Sequence, residues 1–157
     1  MDAKVFVLVG RILGENIGVS SFRNRLIVQK MVYLLKSAGL APNYFFTWYI
    51  RGPYSVALSS DAFAFYKNIP KQETTLTSSE ELLVQKMRSF LSEELNDFDE
   101  LESKLELFAS LLFLRDERKM TLSDPQLVSL LKTLKPWFTE EQIKNAVGKI
   151  IDSRLFN

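Results

Sequence analysis

The chain contains no cysteine and no histidine in its 157 residues. Without cysteine there is no disulfide, no thiolate nucleophile and no zinc–thiolate site. Without histidine it lacks the commonest general base and the commonest transition-metal ligand. Catalysis would fall to carboxylates, lysines, tyrosines or a bound cofactor, and the sequence holds neither an EF-hand loop nor a Gly-rich phosphate loop ending in Lys-Ser or Lys-Thr. The expectation is a non-enzymatic protein with no cofactor and no metal. Long apolar runs are missing too, so no membrane span is predicted. The short apolar stretch after Met1-Asp2-Ala3-Lys4 is broken by Gly10 and Arg11 and has no small-residue cleavage site behind it. Both features point to a soluble cytoplasmic protein. Six glycines and five prolines are too few for a long flexible linker. The length suits one domain over 1–157.

What is present is a strong polarity of charge along the chain. Residues 1–71 carry nine Lys or Arg against three acids (Asp2, Glu15, Asp61), a net +6. Residues 72–114 carry three against ten, a net −7. The two stretches either attract one another and stay solvated, or expose a basic surface to nucleic acid or an acidic protein. Twelve phenylalanines predict an aromatic-rich core.

Charge divides the chain into a basic first half, 1–71, and a second half, 72–157, that reads as helical. Val5, Leu8, Val9, Ile12 and Leu13 fit a helix over 3–13, followed by a loop at 14–21. Ile27, Met31, Leu34, Leu35 and Ala38 predict a second helix over 22–38. Leu26, Val28 and Val32 widen its apolar stripe, which makes it central, and Gly39 and Pro42 stop it. YFFTWYI, residues 44–50, has the composition of a strand, for which the pairing candidates are residues 69–76 or the 14–21 loop. Ser55 to Tyr66 reads as helical. Further on, Thr77-Ser-Ser-Glu80 is a capping box, Asp99 begins a helix through Leu112, and Pro125 opens one that Lys135-Pro136 ends. Thr139 with Gln142 starts the last, with Phe138 and Ile143 at the staple positions. The expected fold is mainly α: six or seven helices with one small β element.

The stretch WYIRGPYS, residues 48–55, is the most distinctive. Gly52 permits positive φ and Pro53 suits a helical first turn, so the pair predicts a strand-to-helix corner packed by Trp48 and Tyr54. The corner does not require Arg51, whose guanidinium with nearby free N–H groups would suit an anion. Gln29 and Lys30, polar on an apolar helix, are expected to bond the turn's backbone, with a ligand groove beside Arg51 and Tyr33 as the alternative. The acidic stretch 92–106 (with Glu93, Glu94, Asp97, Asp99, Glu100 and Glu102) reads as a solvated helix junction, and Trp137-Phe138 as a core anchor and staple.

RLIVQKMVYLLKSAGL (25–40) followed by FFTWYIRGPYSVAL (45–58) resembles the YwgA-like family of uncharacterised bacterial and archaeal proteins. It is also similar to Panacea-domain proteins, some of which act as antitoxins by binding a toxin. The pattern falls on Leu26, Gln29, Lys30, Met31 and Tyr33, then Tyr49, Gly52, Pro53, Tyr54 and Ser55, with a weaker echo over 105–147. Arg51 stands where an aromatic or histidine commonly precedes the Gly-Pro.

Two functions follow as expectations. One is a regulatory module that binds a protein partner through an exposed apolar patch, antitoxin-like in the sense the resemblance implies. Its candidate partner- or anion-binding residues are Arg51, Lys30, Tyr33, Gln29 and Tyr54. The other is a winged-helix-like nucleic-acid reader, with Arg23, Arg25, Lys30, Arg51, Lys67 and Lys71 on phosphates. Self-association is left open. An enzyme would need Asp61, Tyr33 and Arg51 to converge in one pocket.

Overall fold

The computed structural model describes residues 2–71 and 73–157. Helix α1 (Ala3–Leu13) buries Val5, Phe6, Leu8, Val9 and Ile12 and ends at Gly14, whose φ of 85° closes the last turn. Helix α2 (Phe22–Ser37) starts on Ser21, whose hydroxyl accepts from the Asn24 N–H. It is buried without interruption from Leu26 to Leu35, as its wide apolar stripe predicts. Strands β1 (Thr47–Tyr49) and β2 (Gly52–Tyr54) lead into α3 (Val56–Lys67). Then come α4 (Ser78–Phe90), the short α5 (Ser92–Asn96), α6 (Phe98–Arg118), α7 (Pro125–Leu134) and α8 (Glu140–Ser153).

The fold is mainly helical with one small sheet, as the sequence predicts. Among the described residues there are eight helices, the addition being α5. Helices α2 and α6 pack along one another as the central pair. Helix α6 is buried on every side from Leu105 to Leu114. Phenylalanine supplies much of the core: Phe6, Phe46, Phe65, Phe90, Phe108, Phe113, Phe138 and Phe156 are buried. No helix among the described residues is long and apolar enough to cross a membrane.

The strand's partner differs from both expected candidates. Thr47 pairs with Tyr54, Trp48 with Pro53 and Tyr49 with Gly52, antiparallel. Residues 14–21 and the described part of 69–76 form no strand, and Gln72 lies outside the described residues. The chain can reverse at once because Ile50 and Arg51 make the turn and Gly52, at φ 94°, takes the left-handed conformation that follows it. Pro53 therefore lies in β2 rather than in a first helical turn. Its fixed φ is compatible with either setting. The helix begins later, on Ser55, whose hydroxyl accepts from the Leu58 N–H.

Helix α6 opens at Phe98, so Asp99 sits in its first turn, and the flanking Asp97 makes no side-chain cap. The acidic junction is not uniformly solvated: Glu94 and Glu106 are buried. Trp137 is half exposed rather than a core anchor, whereas Phe138 is buried.

The charge polarity closes largely within the molecule. Lys4 pairs with Glu80 (3.2 Å) and Arg11 with Glu81 (2.9 Å), joining α1 to α4. Arg23 on α2 lies 3.6 Å from both Asp99 and Glu102 on α6. Such largely exposed pairs contribute little individually to helices that are held by their apolar faces.

The capping boxes at Thr77 and Thr139 are both complete, each hydroxyl meeting the N3 amide and each N3 side chain returning to the cap N–H. Thr139→Ala is expected to lower stability by about 1 kcal/mol, read from urea denaturation, with the far-ultraviolet spectrum unchanged.

Candidate functional site

The hairpin sits in a corner made by α2, α6 and the segment after α7, and its backbone is held by buried side chains. Gln29 brackets Ser55: its Nε2 donates to the Ser55 carbonyl (2.8 Å), and its Oε1 accepts from the Ser55 N–H (2.9 Å). One residue on, Lys30 donates its Nζ to the Pro53 carbonyl (2.7 Å). Both side chains thus meet the turn's backbone, the task a polar pair on this apolar helix is expected to perform. Exposure of Lys30 is only 1%. Buried carbonyls left without donors cost free energy, so these bonds hold β2 in place.

Helix α6 approaches β2 closely. A Cβ added at Gly52 would lie 2.9 Å from Ser110 Oγ and 3.7 Å from the Glu106 carbonyl. Ser110 Oγ is itself buried without a hydrogen-bond partner. Gly52 is therefore required twice, by its φ and by this contact. Trp48 packs on Phe113 of α6, with ring centroids 5.6 Å apart, and Tyr54 packs on Tyr49 at 5.2 Å.

Lys135, just past α7, closes the third side. Its ammonium donates to the Ile50 carbonyl and lies 4.9 Å from the Trp48 ring and 5.1 Å from the Trp137 ring. Glu106, 4% exposed, is the anion common to the group. Its Oε2 accepts from Trp137 Nε1 (2.8 Å) and lies 3.9 Å from Lys135 Nζ, while Oε1 is 3.8 Å from Arg51. Two cations, Lys135 and Arg51, thus lie at ion-pair distance from one carboxylate, and Lys30 is near enough to feel its charge. Arg51 is the exposed member, its guanidinium 5.9 Å from the Trp137 ring.

Burial depresses both lysines. The Lys30 ammonium falls from 10.5 to about 7, chiefly by desolvation, with Glu106 opposing the fall and Lys135 adding to it. Lys135 falls to about 8 for the same first reason, opposed by Glu106 and furthered by Arg51.

The other sequence-predicted residues lie apart from this group. Tyr33 donates its hydroxyl to Asp116 (3.1 Å), which also accepts from Ser37, and its ring meets Phe46 edge-on. Burial, followed by the Asp116 charge, pushes the Tyr33 phenol well above its ordinary value. Asp61 accepts from Tyr44 (2.7 Å). Asp61, Tyr33 and Arg51 therefore have three different partners. Of the cations considered for phosphate, Lys30 is buried, Arg23 is paired, and Arg25 donates to the Val19 carbonyl (3.1 Å). Lys67 and Lys71 are exposed.

Sequence reasoning missed Glu106, Ser110, Lys135 and Trp137 as members of the site. A signal existed for Glu106: it stands alone as an acid within the apolar run from Leu105 to Leu114. No family model matches the chain, and neither a curated protein nor a solved structure matches it.

Two predictions follow. Gly52→Ala adds a left-handed penalty to a clash with Ser110 and is expected to destabilise by on the order of 2–3 kcal/mol, measured by urea denaturation. The second concerns pH. A lysine whose folded pKa is below its unfolded value binds fewer protons when folded, so its contribution to stability grows as pH rises between the two values. For Lys30 that window runs from about 7 to 10.5. The stability of the wild type relative to Lys30→Met is expected to grow by on the order of 2 kcal/mol between pH 7 and about 9.5. A difference independent of pH would show that Lys30 titrates as a free lysine.

Proposed function

We propose that this chain is a non-enzymatic, cytoplasmic regulatory module that binds a protein partner through the tip of the hairpin. The observation that carries the reading is the grouping of Tyr49, Ile50, Arg51 and Trp137 at one exposed place on a rigid support. Ile50 is 79% exposed and Trp137 48%. Tyrosine, tryptophan and arginine are the types in which binding energy concentrates at protein interfaces. Here they are positioned from beneath: Trp137 by its bond to Glu106, and Ile50 by the Lys135 bond to its carbonyl. An isoleucine this exposed at the tip of a turn contributes little to the core, and with Tyr49 and Trp137 beside it forms an apolar surface open to a partner.

The resemblance of residues 25–58 to YwgA-like and Panacea-domain proteins supports the same reading and makes its finer form antitoxin-like, the partner being held by sequestration. The nucleic-acid reading draws less support. The basic residues of the first half are largely occupied by Asp99, Glu102, Glu80, Glu81 and backbone carbonyls. An active site built on Asp61, Tyr33 and Arg51 draws little, since the three have separate partners.

The test is affinity capture from native cells with the tagged chain and its Ile50→Asp variant. Ile50 is exposed, so the variant is expected to fold with an unchanged melting temperature. It should lose the specific partner by about tenfold or more. Equal recovery of one partner by both proteins would refute binding through the tip.

A further inference from the structure

We infer that the partner docks as an extended segment along the free edge of β1 and sets a carboxylate against Arg51. This rests on the protein-interaction reading above and names the chemistry of the occupant. Strand β2 is the one that packs on α2 and α6, and the sheet has two strands, so the far edge of β1 is unpaired. Among the described residues no hydrogen bond from outside the hairpin reaches the backbone of 44–49. Such an edge is a template for another strand; β1 is short, at three residues, and lacks the charge or proline with which proteins also blunt one. Residues 43–50, NYFFTWYI, contain neither.

The side chains of β1 and of the three residues before it alternate. Tyr44 and Phe46 are buried, whereas Phe45, Thr47 and Tyr49 are exposed. An added strand gains main-chain hydrogen bonds from the edge and specificity from alternate side chains, here a row of two aromatics flanking a threonine.

Charge decides which strand fits. Lys30 and Lys135 are committed to the Pro53 and Ile50 carbonyls, and Glu106 is the carboxylate that Lys135 shares with Arg51. The hairpin tip is left with surplus positive charge, and Arg51 is its exposed outlet. A carboxylate reaching Arg51 beside the Trp137 face completes the balance through a charge-assisted hydrogen bond. A second copy pairing through this same strand does not supply it. Residues 16–60 contain no Asp or Glu, and an antiparallel pairing of β1 with itself about Trp48 would set Phe45, rather than an acid, opposite Arg51.

The test is a two-dimensional NMR titration of the full chain with a blocked peptide of alternating valine and glutamate. Its controls are the same peptide with lysine for glutamate, and an oligonucleotide of matched charge. The glutamate peptide is expected to shift the amides of Phe45 to Tyr49 and the indole N–H of Trp137, and the controls are not. Arg51→Glu should weaken the binding about tenfold, and Lys67→Glu, a charge change at an exposed residue on α3, should leave it unchanged. The inference is overturned if the glutamate peptide produces no shift or if the lysine peptide binds as well. It is also overturned if the oligonucleotide produces the shifts, or if the free protein sediments as a dimer that already protects these amides. The two readings separate cleanly. Loss of the native partner in Ile50→Asp, with β1 blind to the glutamate peptide, overturns the acidic occupant and leaves the interaction module standing. Capture that survives Ile50→Asp removes the module reading itself.

Discussion

Two adjacent side chains on one buried helix complete the backbone of a hairpin that cannot stand alone. A two-stranded ribbon of this length is not stable in water. Here Gln29 satisfies both backbone groups of Ser55, and Lys30 satisfies the Pro53 carbonyl, all inside the apolar corner between α2 and α6. The consequences spread from there. With Ser55 fixed, its hydroxyl caps α3. With Pro53 fixed, Gly52 is pressed onto Ser110 of α6. With β2 fixed, β1 is presented outward as the far strand.

The second support is electrostatic. Burying two lysines and a glutamate is expensive, and nothing about it is a gain in stability over an apolar core of the same shape. It makes position specific, because each charged end is satisfied only at one place: Lys135 at Ile50 and between two indoles, Glu106 at Trp137. The same arrangement leaves Arg51 exposed at the tip beside Trp137. The depressed pKa values of Lys30 and Lys135 are the mark of that desolvation.

Much of the helical frame was legible because it is written locally. The hydroxyl caps of Thr77 and Thr139, the proline opening α7 and the glycine after α2 each act within one turn, so their meaning survives without knowledge of the fold. The role of Gln29 and Lys30 was legible for a related reason: polar groups on a helix this apolar need partners, and a turn provides carbonyls. The hairpin was not. Ile50-Arg51 carries none of the usual turn residues, and the glycine that permits the reversal comes after it, next to a proline that fits a helix start equally well. Lys135 and Trp137 were opaque because their positions are decided by contacts with residues 85 and 31 positions away. Charged residues in a helical sequence ordinarily face solvent. Only the apolar company of Glu106 hinted otherwise.

The central claim is that the hairpin is a rigid mount rather than a mobile loop, and amide hydrogen exchange tests it most directly. The Ser55 N–H, bonded to the Gln29 carboxamide, should exchange as slowly as the core amides of α2 in the wild type, and faster by orders of magnitude in Gln29→Leu. Rapid exchange of Ser55 in the wild type, at the rate of an exposed turn, would contradict the account.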